Sequence, residues 1–156
     1  MIVRRVLPLL TAAMLLGGGA IAAATNEAIP GVSDPVQARV DYILKCQGCH
    51  RPDGSGDSKS NPPMNGLVAR FLQVEGGREY LARVPGVATV NLDDRRVADL
   101  LNWSLYTFDP AHVPQGFKPY DASEIGRLRK APLRTEAAAT RRTLLAKFEP
   151  AKAGKP

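Results

Sequence analysis

Cys46-Gln47-Gly48-Cys49-His50 places the chain's only two cysteines three positions apart, with an imidazole directly after the second. Two thiols at this spacing lie one helical turn apart and reach the two vinyl groups of a single porphyrin; the adjacent imidazole then faces the iron as an axial ligand. Two other chemistries share part of the pattern. A redox-active Cys-x-x-Cys sits among alternating strands and helices, which this sequence lacks, and a tetrahedral zinc site needs a second Cys pair, which is also missing. The motif therefore predicts one covalently bound haem c, held by Cys46 and Cys49 and ligated by His50.

Haem of this kind is attached only after export, and the N-terminus agrees. Arg4 and Arg5 precede an almost wholly apolar run from Val6 to Ile21, and Ala22-Ala23-Ala24 offers a small-residue cleavage site before Thr25. Residues 1–24 read as a secretory signal and residues 25–32 as a linker, with the periplasm as destination. An uncleaved signal would act as a membrane anchor; the glycines at 17–19 and the Ala-rich end favour cleavage. With no cysteine outside the motif, no thiol remains for a structural disulfide. Loss of Arg4 and Arg5 with the signal lowers the formal charge from +6 to +4 and leaves 132 residues, enough for one domain. That mild balance suits docking on an acidic protein face or an anionic membrane surface. Without a basic stripe interleaved with aromatics, it argues against nucleic acid as a partner.

The elements that must position the motif read as helices, with Pro and Gly at the joints and no strand. Ser33 or Asp34 caps a first helix that Pro35 opens, and Val36, Val40, Ile43 and Leu44 form one apolar face running into Cys46. Residues 51–63 have loop composition. Asp53 and Asp57 there resemble a calcium ligand set only superficially, because the rest of an EF-hand is missing. Short helices are expected at Leu67–Gln73 and Arg78–Val84, and the strongest at Asp93–Phe108, where Val97, Leu100, Leu101, Leu105 and Phe108 keep helical spacing. Asp121-Ala122-Ser123-Glu124 has capping-box form and opens a further helix. After Pro132, an Ala-rich amphipathic helix over Thr135–Phe148 precedes a Pro/Ala/Lys/Gly end that reads as disordered. This basic helix is a second route to membrane contact, beside an uncleaved signal.

On these residues the chain resembles the monohaem class I cytochromes c of small proteobacterial type. Beyond the attachment motif, Pro62-Pro63-Met64-Asn65-Gly66-Leu67 is similar to that family's segment on the proximal side of the haem. The resemblance covers residues 33–130. It implies an all-α bundle of short helices around one covalent haem, here with an extra C-terminal element over residues 131–156. It also implies that the Pro62 carbonyl accepts the Nδ1 proton of His50 and that Met64 stands where the family has leucine. Trp103, on the strongest helix, is a further candidate to pack on the porphyrin.

The sixth ligand departs from that pattern, because no methionine follows Met64. His112 lies 62 positions after His50, inside Pro110-Ala111-His112-Val113-Pro114 between two helices, the setting in which the family presents its distal ligand. Met64 is the alternative, and an open position is the third. An occupied site suits a periplasmic electron carrier that exchanges single electrons with redox proteins through acidic docking faces and is not an enzyme. An open site would suit a small-ligand sensor or a peroxidase-like protein. Apart from His112, no strong distal acid or base is legible, so the carrier is the preferred reading.

Overall fold

In the computed structural model, residues 28–57 and 60–148 are described; the predicted signal, part of the linker and the tail after Phe148 lie outside them. Among the described residues there are seven α-helices, two 3-10 turns and no strand, an all-α fold. Aspartates start the three helices that build the frame. The Asp34 carboxylate accepts the Gln37 amide at 2.9 Å to open α1 (Pro35–Lys45), and Pro35 at its first position has no amide to leave unpaired. Asp93 accepts from Arg96 at 2.9 Å to open α5 (Asp94–Phe108), and Asp121 accepts from Glu124 at 2.8 Å to open α6 (Ala122–Leu128).

Helix α5 is the axis of the molecule. Every residue from Val97 to Leu105 is buried, so this helix is covered on all sides rather than along one stripe. On one side Val97, Ala98, Leu101 and Leu105 pack with Phe71, Tyr80, Leu81 and Ile125. These come from the 3-10 turn Ala69–Gln73, from α3 (Gly77–Arg83) and from α6. On the other side Leu100 and Trp103 pack with Ala38 and Tyr42 of α1. Asn102 lies between and is fully buried. Its amide donates to the carbonyls of Gly31 and Tyr120 at 3.0 Å each and its oxygen accepts the Tyr120 amide at 2.9 Å, so two distant segments are tied to the axis.

The rotation of α1 differs from what its apolar pattern suggests. Ala38, Asp41 and Tyr42 face α5, while Val36, Val40, Ile43 and Leu44 point outward. Polar pairing decides this. Asp41 is 1% exposed and receives Arg96 of α5 through Nε at 3.0 Å and through a second, shorter guanidinium contact, with the Gln37 amide at 3.1 Å completing its shell. A buried carboxylate held from three directions cannot be rotated into water without losing all of them.

The C-terminal helix α7 (Ala137–Leu145) docks back on the domain: Leu144 is buried and the Phe148 ring meets Phe71 edge-on at 5.0 Å. Between α4 (Pro85–Ala88) and α5 the chain is held by one side chain. Arg129 donates to the carbonyls of Ala88 (3.0 Å), Val90 (2.6 Å) and Leu92 (2.9 Å) and to the Asp94 carboxylate (2.8 Å). Arg129→Ala leaves three carbonyls without this donor and should lower the unfolding free energy by about 2–3 kcal/mol in urea titration. Arg129→Lys should recover less than half of that, because an ammonium cannot reproduce the fork.

Candidate haem centre

The attachment motif forms its own helical turn. Cys46 ends α1, its amide donating to Tyr42 at 2.9 Å, and α2 (Gln47–His50) follows at once. The amides of Cys49 (3.1 Å) and His50 (2.9 Å) both donate to the Cys46 carbonyl, so the two thiols and the imidazole share one turn. Arg51 then takes φ +64°, which turns the chain away after His50, and its carbonyl accepts the Tyr42 hydroxyl at 2.5 Å.

The two thiols differ in setting. Cys46 packs against the cluster of Ala38, Tyr42, Leu100 and Trp103, whereas Cys49 is exposed. Burial pushes the Cys46 thiol up to about 11, and the charges of Asp41 and Cys49 add to the effect. Tyr42 is pushed up to about 12, again mainly by burial. Its ring lies 5.4 Å from Trp103 and 5.0 Å from Phe108, and those two stand 5.6 Å apart edge to face. Met64 packs on the same cluster, and so does Leu92.

The loop after the motif closes back on His50. The Gly56 amide donates to the His50 carbonyl at 3.0 Å; a Cβ at Gly56 would lie 2.1 Å from the Asn61 carbonyl oxygen and 2.8 Å from that of Pro62, so only glycine fits. Asp57 organises the return by accepting from Ser60 at 2.6 Å and from the Asn61 side chain at 2.6 Å; Asp53 accepts from Ser55 at 3.0 Å. These carboxylates are turn-formers, and no group of three or more His, Cys, Asp or Glu side chains suited to a metal ion occurs among the described residues. His50 Nδ1 is buried and has no hydrogen-bond partner, so the bond expected to the Pro62 carbonyl is not made, although Pro62 stands in the loop that closes on His50.

His112 has a hydrogen-bond setting of its own. It ends the 3-10 turn Pro110–His112, and its Nδ1 lies 2.5 Å from Asp109 Oδ1. Asp109 is buried and its other oxygen accepts the Ala69 amide at 2.9 Å, while the His112 carbonyl accepts from Gln73 at 2.9 Å. No hydrogen bond, ion pair or ring contact found among the described residues joins His112 to residues 46–50. The structure therefore gathers Cys46, Cys49 and His50 on one turn, sets Met64 and Trp103 beside Cys46, and ties the His112 loop to the 3-10 turn Ala69–Gln73. Tyr42 and Phe108 are members of the site that the motif did not reveal. Tyr42 was legible as the residue one helical turn before Cys46; Phe108 had no such signal.

The residues fit a covalent porphyrin. One turn presents both thiols and the imidazole, an aromatic cluster lies against the first thiol, and the buried Nδ1 is an atom that ligating histidines ordinarily use to donate to a second group.

No family model matches the chain. Among curated proteins, a cytochrome c-552 of Thermus thermophilus is 33% identical over 138 residues, covering 77% of this chain and 84% of the relative. A second cytochrome c-552 of the same organism is 35% identical over 103 residues, covering 54% of this chain and 79% of the relative.

The unequal thiols give a direct test. In haem-free chain kept reduced at pH 8, iodoacetamide should label Cys49 at least about tenfold faster than Cys46, as followed by peptide mass spectrometry, because Cys49 is exposed while Cys46 is partly covered and its thiol is pushed up to about 11.

Proposed function

The chain belongs to the c-type cytochromes and is a haem-based electron carrier with one covalently attached haem c and redox proteins as its partners; from that premise we propose how its own residues serve the carrier. Cys46 and Cys49 hold the porphyrin by thioethers and His50 is its axial ligand. When bound, haem c supplies an iron couple that takes up and releases one electron. Trp103, Tyr42 and Phe108 exclude water from the side of Cys46, and Met64 packs there with them. Pro62 belongs to the loop that sets the orientation of His50. The single observation that carries this reading is the shared turn of Cys46, Cys49 and His50, whose two inner amides converge on one carbonyl.

The sixth position separates the two side chains the sequence offers. His112 has Nδ1 on a buried carboxylate, the arrangement in which ligating imidazoles are commonly oriented. Its loop, however, is anchored to the 3-10 turn Ala69–Gln73 by both Asp109 and Gln73. Met64 is already in the cluster of Cys46. The geometry thus supports Met64 over His112 as the side chain at the haem. The two cytochrome c-552 relatives favour a carrier that is not an enzyme over a peroxidase-like protein.

The signal-like N-terminus and the covalent cofactor support a periplasmic location, and no helix among the described residues is long and apolar enough to cross a membrane. An exposed charge balance on the positive side supports partners with acidic docking faces.

Covalent attachment is checked by denaturing electrophoresis with haem staining. Colour should stay with the protein band, weaken in Cys46→Ala or Cys49→Ala, and the axial ligand should be lost in His50→Ala. For the sixth position, His112→Ala should leave the ferric spectrum unchanged and Met64→Ala should alter it. Conversion of His112→Ala to a high-spin haem would instead assign the ligand to His112.

A further inference from the structure

The large apolar side chains left most exposed among the described residues all lie on α1: Val36 (66%), Val40 (38%), Ile43 (38%) and Leu44 (68%). Their spacing of four, three and one puts them on one stripe of the helix surface, which runs toward Gln47 and the attachment turn. The stripe cannot be a buried face that has slipped, because Asp41 and Tyr42 fix the opposite face against α5. A contiguous apolar stripe with a polar border is the composition of a contact surface.

Its border is net positive. The Asp or Glu, Lys or Arg residues from Pro35 to Arg51 are Arg39, Asp41, Lys45 and Arg51, and Asp41 is buried against Arg96. The exposed remainder is Arg39, Lys45 and Arg51, against one exposed carboxylate, Asp34, at the helix start, so the border is net positive. A second copy of the chain fits this surface poorly, since a two-fold pairing would set the same three cations against one another. A face with an apolar centre and carboxylates around it complements both parts.

We propose that the Val36–Val40–Ile43–Leu44 stripe is the docking face for a redox protein whose own contact surface is an apolar centre ringed by carboxylates. The inference rests on the electron-carrier reading, which requires a partner to settle beside the attachment turn, where the stripe ends. The basic border steers and orients the encounter, while desolvation of the four side chains holds it. The stripe is small, as suits a complex that must dissociate after each electron.

A gold electrode coated with a mixed monolayer of methyl-terminated and carboxylate-terminated thiols reproduces that chemistry. The holoprotein should exchange electrons at least about tenfold faster there than on a purely carboxylate monolayer. Val40→Ser with Leu44→Ser should abolish the advantage without changing the thermal midpoint; Leu44→Ser alone, at the most exposed position, should give a partial loss and guards against misfolding of the double variant. Arg39→Gln with Lys45→Gln should flatten the salt dependence. Retention of the wild-type advantage in the double variant would overturn the assignment. So would concentration-dependent dimers in sedimentation velocity, or binding to phosphatidylglycerol vesicles, that the double variant loses. Cycling with ascorbate and ferricyanide in solution separates the two levels: a holoprotein that does not cycle refutes the carrier reading, whereas one that cycles but ignores the stripe refutes the docking face alone.

Discussion

The crossing of α1 over α5 is the constraint on which the rest depends. It is held by a buried carboxylate, Asp41, gripped by Arg96, and by Tyr42 wedged between Trp103 and Phe108. Cys46 follows Tyr42 by one helical turn, so the same contacts that lock the crossing set where the attachment turn begins. The Tyr42 hydroxyl reaches past that turn to the Arg51 carbonyl, and one side chain thus brackets the motif at both ends. Packing and polar pairing act together here: the aromatic rings supply apolar burial without direction, and the ion pair supplies direction.

Local hydrogen bonds add to that division around the attachment turn, where an electron carrier needs order. A carrier works best when its surroundings change little as the iron gains or loses charge. The attachment turn has its amides directed to one carbonyl, the following loop is closed by Gly56 on His50, and Asp57 pins the returning limb of that loop. Each of these is a hydrogen bond between residues close in the chain, which costs little chain entropy to form.

Much of this was legible in the sequence. The attachment motif carries its meaning in residue type and spacing, and the caps at Asp34, Asp93 and Asp121 follow from local chemistry, so the helix starts fall within a residue or two of expectation. The rotation of α1 was not legible. Periodicity reports that four apolar residues share a face, but which face is buried was settled by Asp41 finding Arg96, 55 positions away. The hydrogen-bond setting of His112 was not legible for a similar reason: its spacing and Pro-flanked loop match a distal ligand, while the buried Asp109 that it meets makes its own anchor to Ala69, 40 positions back. Sequence-local patterns find elements; pairings across the fold decide their orientation.

The hold of Arg129 on residues 88–92 has a consequence for how this chain can vary. The guanidinium recognises three main-chain oxygens and none of the side chains of that stretch. The course of the segment is therefore written in a residue at the end of another helix, and Val90 or Leu92 can be exchanged for other apolar residues without redirecting the chain. Leu92 borders the cluster that shelters Cys46. Packing beside the cofactor can thus be tuned one substitution at a time on a path that stays put, which separates the adjustment of the cofactor's surroundings from the maintenance of shape.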